Sequence, residues 1–183
     1  MATYREVIDR VQQLSVGIAQ DAHQSALIDS EMTAEVVFPH AVRYALVRRA
    51  RTGGDLSDLM TEQIISVANN EGVLPEEILK DALKRAIFPG KPMVCYATHA
   101  DFSRFRFSKQ LDYFSYFGDK FFYSAAGVPN YTGNVSLYTA AIPEMPTDEE
   151  DEVLLPAVIV EEVILIMAAV LRGETPLSAL MDK

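Results

Sequence analysis

The sequence predicts an α+β protein: a helical bundle with a small aromatic-rich antiparallel β insertion and a buried C-terminal helix. Three observations point there. Apolar residues recur at helical spacing in the first part of the chain. From Met93 to Ile142 aromatic and β-branched residues are broken by Gly118-Asp119, Gly127, Pro129-Asn130 and Gly133-Asn134, a texture of short strands and turns. The stretch from Ala157 to Arg172 is apolar almost all the way round, interrupted by Glu161 and Glu162 and closed by Gly173. The expected layout is one folded unit: a helical part over 1–92 with a short strand near 63–68, a β-rich insertion over 93–143, and an acidic connector, buried helix and tail over 144–183.

Thr3-Tyr-Arg-Glu6 fits a capping box. Tyr4, Val7, Ile8, Val11, Leu14 and Ile18 continue it at helical spacing, which predicts a helix over 4–22. Residues 21–29 read as frayed helix or connector. A second helix is expected over 33–51, with a kink or restart at Pro39. Ala41, Val42, Ala45 and Leu46 form its apolar face; Arg43, Arg48, Arg49 and Arg51 form a basic edge. Thr52-Gly-Gly-Asp55 is a break, and 56–60 a linker or helical turn. Residues 63–68 read as a strand and Asn69-Asn-Glu-Gly72 as a turn. Pro75-Glu-Glu77 opens an expected helix through Ile78, Leu79, Ala82, Leu83 and Ile87, ended by Phe88-Pro-Gly90. Strands follow at 94–97, 113–117, 120–124 and 134–139, with Gly118-Asp119 as a two-residue hairpin turn. Pro143, Pro146 and the acidic run make a stiff, exposed connector. In the tail after Pro176, Leu177, Leu180 and Met181 are free to dock.

Composition narrows the function classes. The chain has 183 residues, 49% of them hydrophobic and 23% charged, as in ordinary globular proteins. A single cysteine, Cys95, excludes an intramolecular disulfide. The N-terminal residues carry charge and helical period instead of a signal-peptide apolar core. The uninterrupted apolar run from Val163 to Leu171 is far below the roughly 20 residues that span a bilayer, so a soluble protein with no membrane partner is expected. Net charge is −10, and Glu144 with Asp148-Glu-Glu-Asp-Glu152 supplies six of the 26 acids. Such a chain is a poor sequence-independent nucleic-acid binder, because that affinity comes from Lys and Arg displacing counterions.

No catalytic, cofactor or metal motif survives inspection, and neither enzyme activity nor a cofactor is expected. Cys95 and His99 could suggest a metal or nucleophile–base pair, but zinc needs about four ligands and only His23 and His40 remain; a buried strand thiol and a loop histidine are the plainer reading. The acidic run lacks the ligand spacing, central Gly and closing Glu of an EF-hand loop. Gly53-Gly54 is followed by no Gly-Lys-Ser/Thr, and no Ser sits in a Gly-x-Ser-x-Gly elbow. Arg104, Arg106 and Lys109 interleaved with Phe102, Phe105 and Phe107 resemble a single-strand binder's mixture, and equally the alternation of a half-buried strand. Arg43, Arg48, Arg49 and Arg51 on one side and Asp148, Glu149 and Glu150 on the other are the candidate subunit-interface residues. The helix at 157–172 packs either within the monomer or partly against another subunit.

The order of several segments resembles the head–tail adaptor (connector, neck) proteins of tailed bacteriophages. These are Phe38-Pro-His-Ala-Val-Arg-Tyr-Ala-Leu-Val-Arg48, Leu74-Pro-Glu-Glu-Ile-Leu-Lys-Asp-Ala-Leu83, the stretch 113–123 ahead of Tyr131-Thr-Gly-Asn-Val135, Pro143-Glu-Met-Pro146, and the last helix ending Leu171-Arg-Gly-Glu174. The resemblance spans about Thr33 to Glu174 and rests on packing and turn patterns. It implies a helical bundle with a β-rich insertion and a structural virion protein in the neck, assembled in the host cytoplasm. It also implies a homo-oligomeric ring, often of twelve copies, between the portal and the next neck or tail protein. Such a ring extends the DNA channel and passes DNA without binding it specifically. A terminal segment docks into the portal, here the tail with Leu177, Leu180 and Met181. The rival readings are a small hydrolase or transferase with a site around His99, Asp101 and Tyr131, and a stand-alone single-stranded nucleic-acid-binding module using residues 102–109.

Overall fold

The computed structural model describes residues 2–16, 33–83, 85–87, 94–105, 112–124 and 130–181. Among them are five helices: α1 (Tyr4–Val16), α2 (Ala34–Thr52), α3 (His99–Phe105), α4 (Ala157–Leu171) and α5 (Ser178–Met181). There are seven strands: β1 (Met60–Ala68), β2 (Glu71–Val73), β3 (Arg85–Ile87), β4 (Cys95–Tyr96), β5 (Tyr113–Phe117), β6 (Lys120–Ser124) and β7 (Gly133–Ala140). The chain divides into two compact units, Met1–Asp58 with Ile142–Lys183, and Leu59–Ala141.

The first unit is helical. The capping box opens α1: the Thr3 N–H donates to Glu6 Oε2 at 3.0 Å and the Glu6 N–H to Thr3 Oγ1 at 3.3 Å. The expected helix over 4–22 is described only to Val16; residues 17–22 lie outside the described residues, as does His23. The helix α2 is continuous through Pro39, without the expected restart. Gly53 ends it at φ 74°, a left-handed conformation that a residue with a Cβ rarely adopts. The most apolar helix, α4, packs on both α1 and α2, and α5 packs on α2.

The second unit is a seven-stranded sheet in the order β3-β7-β1-β2-β6-β5-β4. Its five central strands are antiparallel and curl into a half-barrel. The longest pairing, β1 with β7, runs from Met60↔Ala140 to Val67↔Gly133. Asn69 (φ 51°) and Asn70 (φ 69°) make the two-residue turn between β1 and β2, where both central positions need φ > 0. Gly118 (φ 63°) turns β5 into β6. Phe114, Phe121, Tyr123, Leu137 and Val135 centre a core of the unit's own.

That sheet corrects the expected fold class. A helical bundle with a small aromatic-rich β insertion confined to 93–143 does not describe a molecule in which Leu59–Ala141 forms a separate sheet unit. The mixed α+β character stands. The error traces to the helix expected from Pro75 through Ile87. In its place are turns, a short 3-10 turn at Lys80–Ala82 and strand β3. Leu79 explains the outcome: its N–H donates to Ala140 O at 2.9 Å and its carbonyl accepts from Thr139 Oγ1 at 2.8 Å. Those bonds to β7 take the backbone groups a helix needs. Leu74, Ile78, Leu79, Ala82 and Leu83 are all buried, so the helical spacing of apolar residues belonged to a segment wrapped on the sheet. The Phe-Arg-Phe alternation at 105–107 lies largely outside the described residues; the residues leading into it, His99–Phe105, are helix α3, which was not expected. The overlooked signal is Thr98-x-x-Asp101, where the Asp101 N–H donates to Thr98 Oγ1 at 3.2 Å and the Thr98 hydroxyl to Asp101 Oδ2 at 2.7 Å.

Candidate functional site

The helix α4 displays the chain's most unusual chemistry. Pro156 precedes it and accepts the N–H groups of Ile159 and Val160, and Gly173 (φ 72°) follows it. At 3.6 residues per turn, the adjacent Glu161 and Glu162 point roughly 100° apart. Glu161 meets both guanidinium nitrogens of Arg10 on α1, one of them at 2.9 Å. Glu162 accepts from Arg49 Nε on α2 at 2.9 Å, with Arg48 at 3.7 Å. The two carboxylates thus tie α4 sideways to α1 and to α2, which flank it. Ile159, Val163, Ile164, Met167 and Ala168 form the buried face.

The remaining face of α4 carries uncovered apolar side chains on either side of Glu161 and Glu162. Val158 is 62% exposed and Leu165 61%. They are seven residues apart and therefore on one side of the helix. Leu154 just before the helix and Leu14 on α1 are also exposed. Between α1 and α4 lies a groove of about 320 Å³ lined by Ala2, Glu6, Val7, Asp9, Arg10, Val160 and Ile164, a set that includes neither Val158 nor Leu165. Its floor is apolar and its rim carries two exposed acids, Glu6 and Asp9. At the far end Arg172 forks onto Glu174 with two 2.7 Å bonds and donates to Leu14 O at 3.3 Å.

The residues singled out from sequence fall as follows. Arg49 is spent on Glu162; Arg48 leans toward the same carboxylate but keeps most of its side chain in water. Arg43 and Arg51 are exposed. Glu149 and Glu150 lie 3.9 and 3.5 Å from Arg5, and the Asp148 carboxylate accepts the Glu149 N–H at 2.7 Å. The acidic run is therefore not a bare connector. Its Asp151 and Glu149 carbonyls accept the Tyr4 and Arg5 N–H groups at 2.9 Å, so it closes the N-terminus of α1, whose dipole favours negative charge there. In the tail Leu180 is buried, Leu177 half-buried and Met181 exposed. Sequence reasoning missed Arg5, Arg10 and Arg172, because each meets partners that only the fold brings close or that no spacing rule marks.

The carboxyl of Asp151 accepts the N–H groups of Thr147 at 2.8 Å and Asp148 at 2.9 Å, and these hold its pKa below the ordinary carboxylate value. A group depressed in the folded state contributes stability that is present above its unfolded pKa, about 3.9, and lost as pH falls through the folded value. Acid titration followed by circular dichroism is expected to show the protein losing stability below about pH 4. Asp151→Asn is expected to be less stable near neutrality and to show a flatter acid limb; a limb identical to the parent's would remove Asp151 from that account.

In the sheet unit, the three residues weighed for hydrolysis have structural contacts. Asp101 caps α3, Tyr131 donates its hydroxyl to Asn134 O at 2.9 Å, and His99 stacks on Phe117 with ring centroids 5.1 Å apart. Phe102 is buried and its ring lies 6.2 Å from that of Phe122. The side chains of Cys95, Arg104 and Phe105 are not described, and Arg106, Phe107 and Lys109 lie outside the described residues. Tyr123 is pushed well above the ordinary phenol value, chiefly by burial and then by Asp112. Among the described residues no three or more His, Cys, Asp or Glu side chains gather as metal ligands would, and no helix is long and apolar enough to cross a membrane. No protein-family model matches the chain, and no curated protein is significantly similar to it in sequence.

Proposed function

We propose that this protein is a structural virion component: a head–tail connector that forms a ring between portal and tail of a tailed bacteriophage and extends the DNA channel. It would be made in the host cytoplasm and reside in the virion neck. The observation that carries the reading is the uncovered apolar strip of α4, with Val158 and Leu165 each more than half exposed. Exposed apolar side chains held in water along one side of a helix support a protein contact, and the carboxylates between them are already neutralised sideways by Arg10 and Arg49. The order of sequence segments that resembles the adaptor proteins supplies the kind of assembly. The net charge of −10 supports a channel wall along which DNA slides, since few cations are available to displace its counterions.

The test is sedimentation of a tagged copy in lysate of the phage-producing host. Co-migration with megadalton particles, at a fixed number of copies per particle, is the expected result. Recovery only as a small soluble species would sink the connector reading.

A further inference from the structure

We infer that the free protein pairs through α4, the outward side of one helix lying antiparallel on that of a second copy. The inference goes beyond the ring reading. A two-fold contact closes at two copies, so it describes the protein before assembly, and the pair must part before the same side chains serve a ring.

The side chains that face water along α4 read alike in both chain directions. Val158 and Leu165 are both exposed, lie on one side of the helix and are equally far in sequence from the Glu161–Glu162 midpoint. Leu154, exposed just before the helix, and Ala169, half-buried near its end, are again equally far from that midpoint. Two antiparallel copies crossing there therefore set Val158 of each against Leu165 of the other. A helix–helix contact of this kind seats apolar side chains between those of the facing helix.

Charge favours a second copy over an unlike partner. A partner carrying net charge finds no free opposite charge between the apolar side chains, because Glu161 is paired with Arg10 and Glu162 with Arg49. These pairings place α1 on one flank of α4 and α2 on the other. An antiparallel two-fold turn keeps each helix on its own flank, so the Arg10–Glu161 pair of one copy lies beside the same pair of the other. Both members of that pair are about half exposed. The flank is neutral in each copy, so joining two copies opposes no uncompensated like charge. A guanidinium has five N–H donors; Arg10 directs its two terminal nitrogens at Glu161 and keeps donors for the carboxylate of the second copy.

Four apolar side chains per copy make a small contact, and small contacts are weak. The pair therefore forms in concentrated protein, while dilute protein, as used for denaturation, is monomeric.

Sedimentation velocity of the full-length protein from about 1 μM to about 1 mM should show monomer giving way to dimer and to nothing larger. Leu165→Glu should keep the melting temperature of dilute protein and weaken pairing by on the order of a hundredfold, since the two-fold places the new charge in the contact twice. Orientation is read from Val158→Cys and Leu165→Cys variants under mild oxidation, with the parent as the control for Cys95. A disulfide-linked dimer should form in an equimolar mixture of the two variants and with neither alone. A parent that stays monomeric throughout, or that grows beyond two copies, would overturn the inference. So would a Leu165→Glu protein that pairs as the parent does, a mixture that does not link, or a single variant that links to itself. None of these results bears on co-migration with particles, which tests the connector reading separately.

Discussion

Met167→Ala is expected to lower stability by about 2–5 kcal/mol, a large share of the roughly 5–15 kcal/mol that holds a typical domain folded. Met167 is fully buried, on the face of α4 formed with Ile159, Val163 and Ile164. Truncation loses the transfer energy of the side chain and leaves a cavity that neighbouring helices only partly fill. Chemical denaturation of the full-length protein measures the cost. The informative companion is Leu165→Ala, two residues away on the uncovered face, where a change within about 0.5 kcal/mol is expected for an exposed position. A cost at Leu165 equal to that at Met167 would mean the strip is covered, and the assembly surface would lose its basis.

Phe121→Ala is the second large effect, about 3–5 kcal/mol. Phe121 has no exposed surface, and its ring stacks on Phe114 with centroids 5.7 Å apart. It stands opposite Tyr116 in the β5–β6 pairing, inside the core shared with Leu137 and Val135. Hydrogen exchange should show protection lost across the strands of residues 59–141, including β1 and β7. Loss confined to the β5–β6 hairpin would show that the sheet does not share one core.

Much of the local structure was legible because it depends on neighbours in sequence. The capping box at Thr3 and Glu6 starts α1, Gly53 and Gly173 end α2 and α4, and Asn69-Asn70 and Gly118-Asp119 turn the chain between strands. Each is a demand that backbone geometry makes on a particular residue type. The segment around Leu79 was misread because apolar periodicity reports burial without saying what covers the residue. Once the Thr139 hydroxyl and the β7 backbone bind Leu79, the helical alternative has lost its bonds.

The candidate surface divides in the same way. An almost wholly apolar helix holding two adjacent acids was plain in the sequence, as were the four arginines and the acidic run. Which charges are spent inside the fold was not. Arg10 with Glu161, Arg49 with Glu162, and Arg5 with Glu149 and Glu150 join residues more than a hundred positions apart. Sequence alone determined the start of α1, the ends of α2 and α4, the turns at Asn69-Asn70 and Gly118-Asp119, and the inventory of apolar and charged groups, since those follow from local backbone sterics and side-chain chemistry. Only the tertiary structure decided that residues 59–141 form a sheet unit, and that Val158 and Leu165 face water while Met167 does not. Burial and ion pairing are set by what packs across the chain, and no local spacing encodes it.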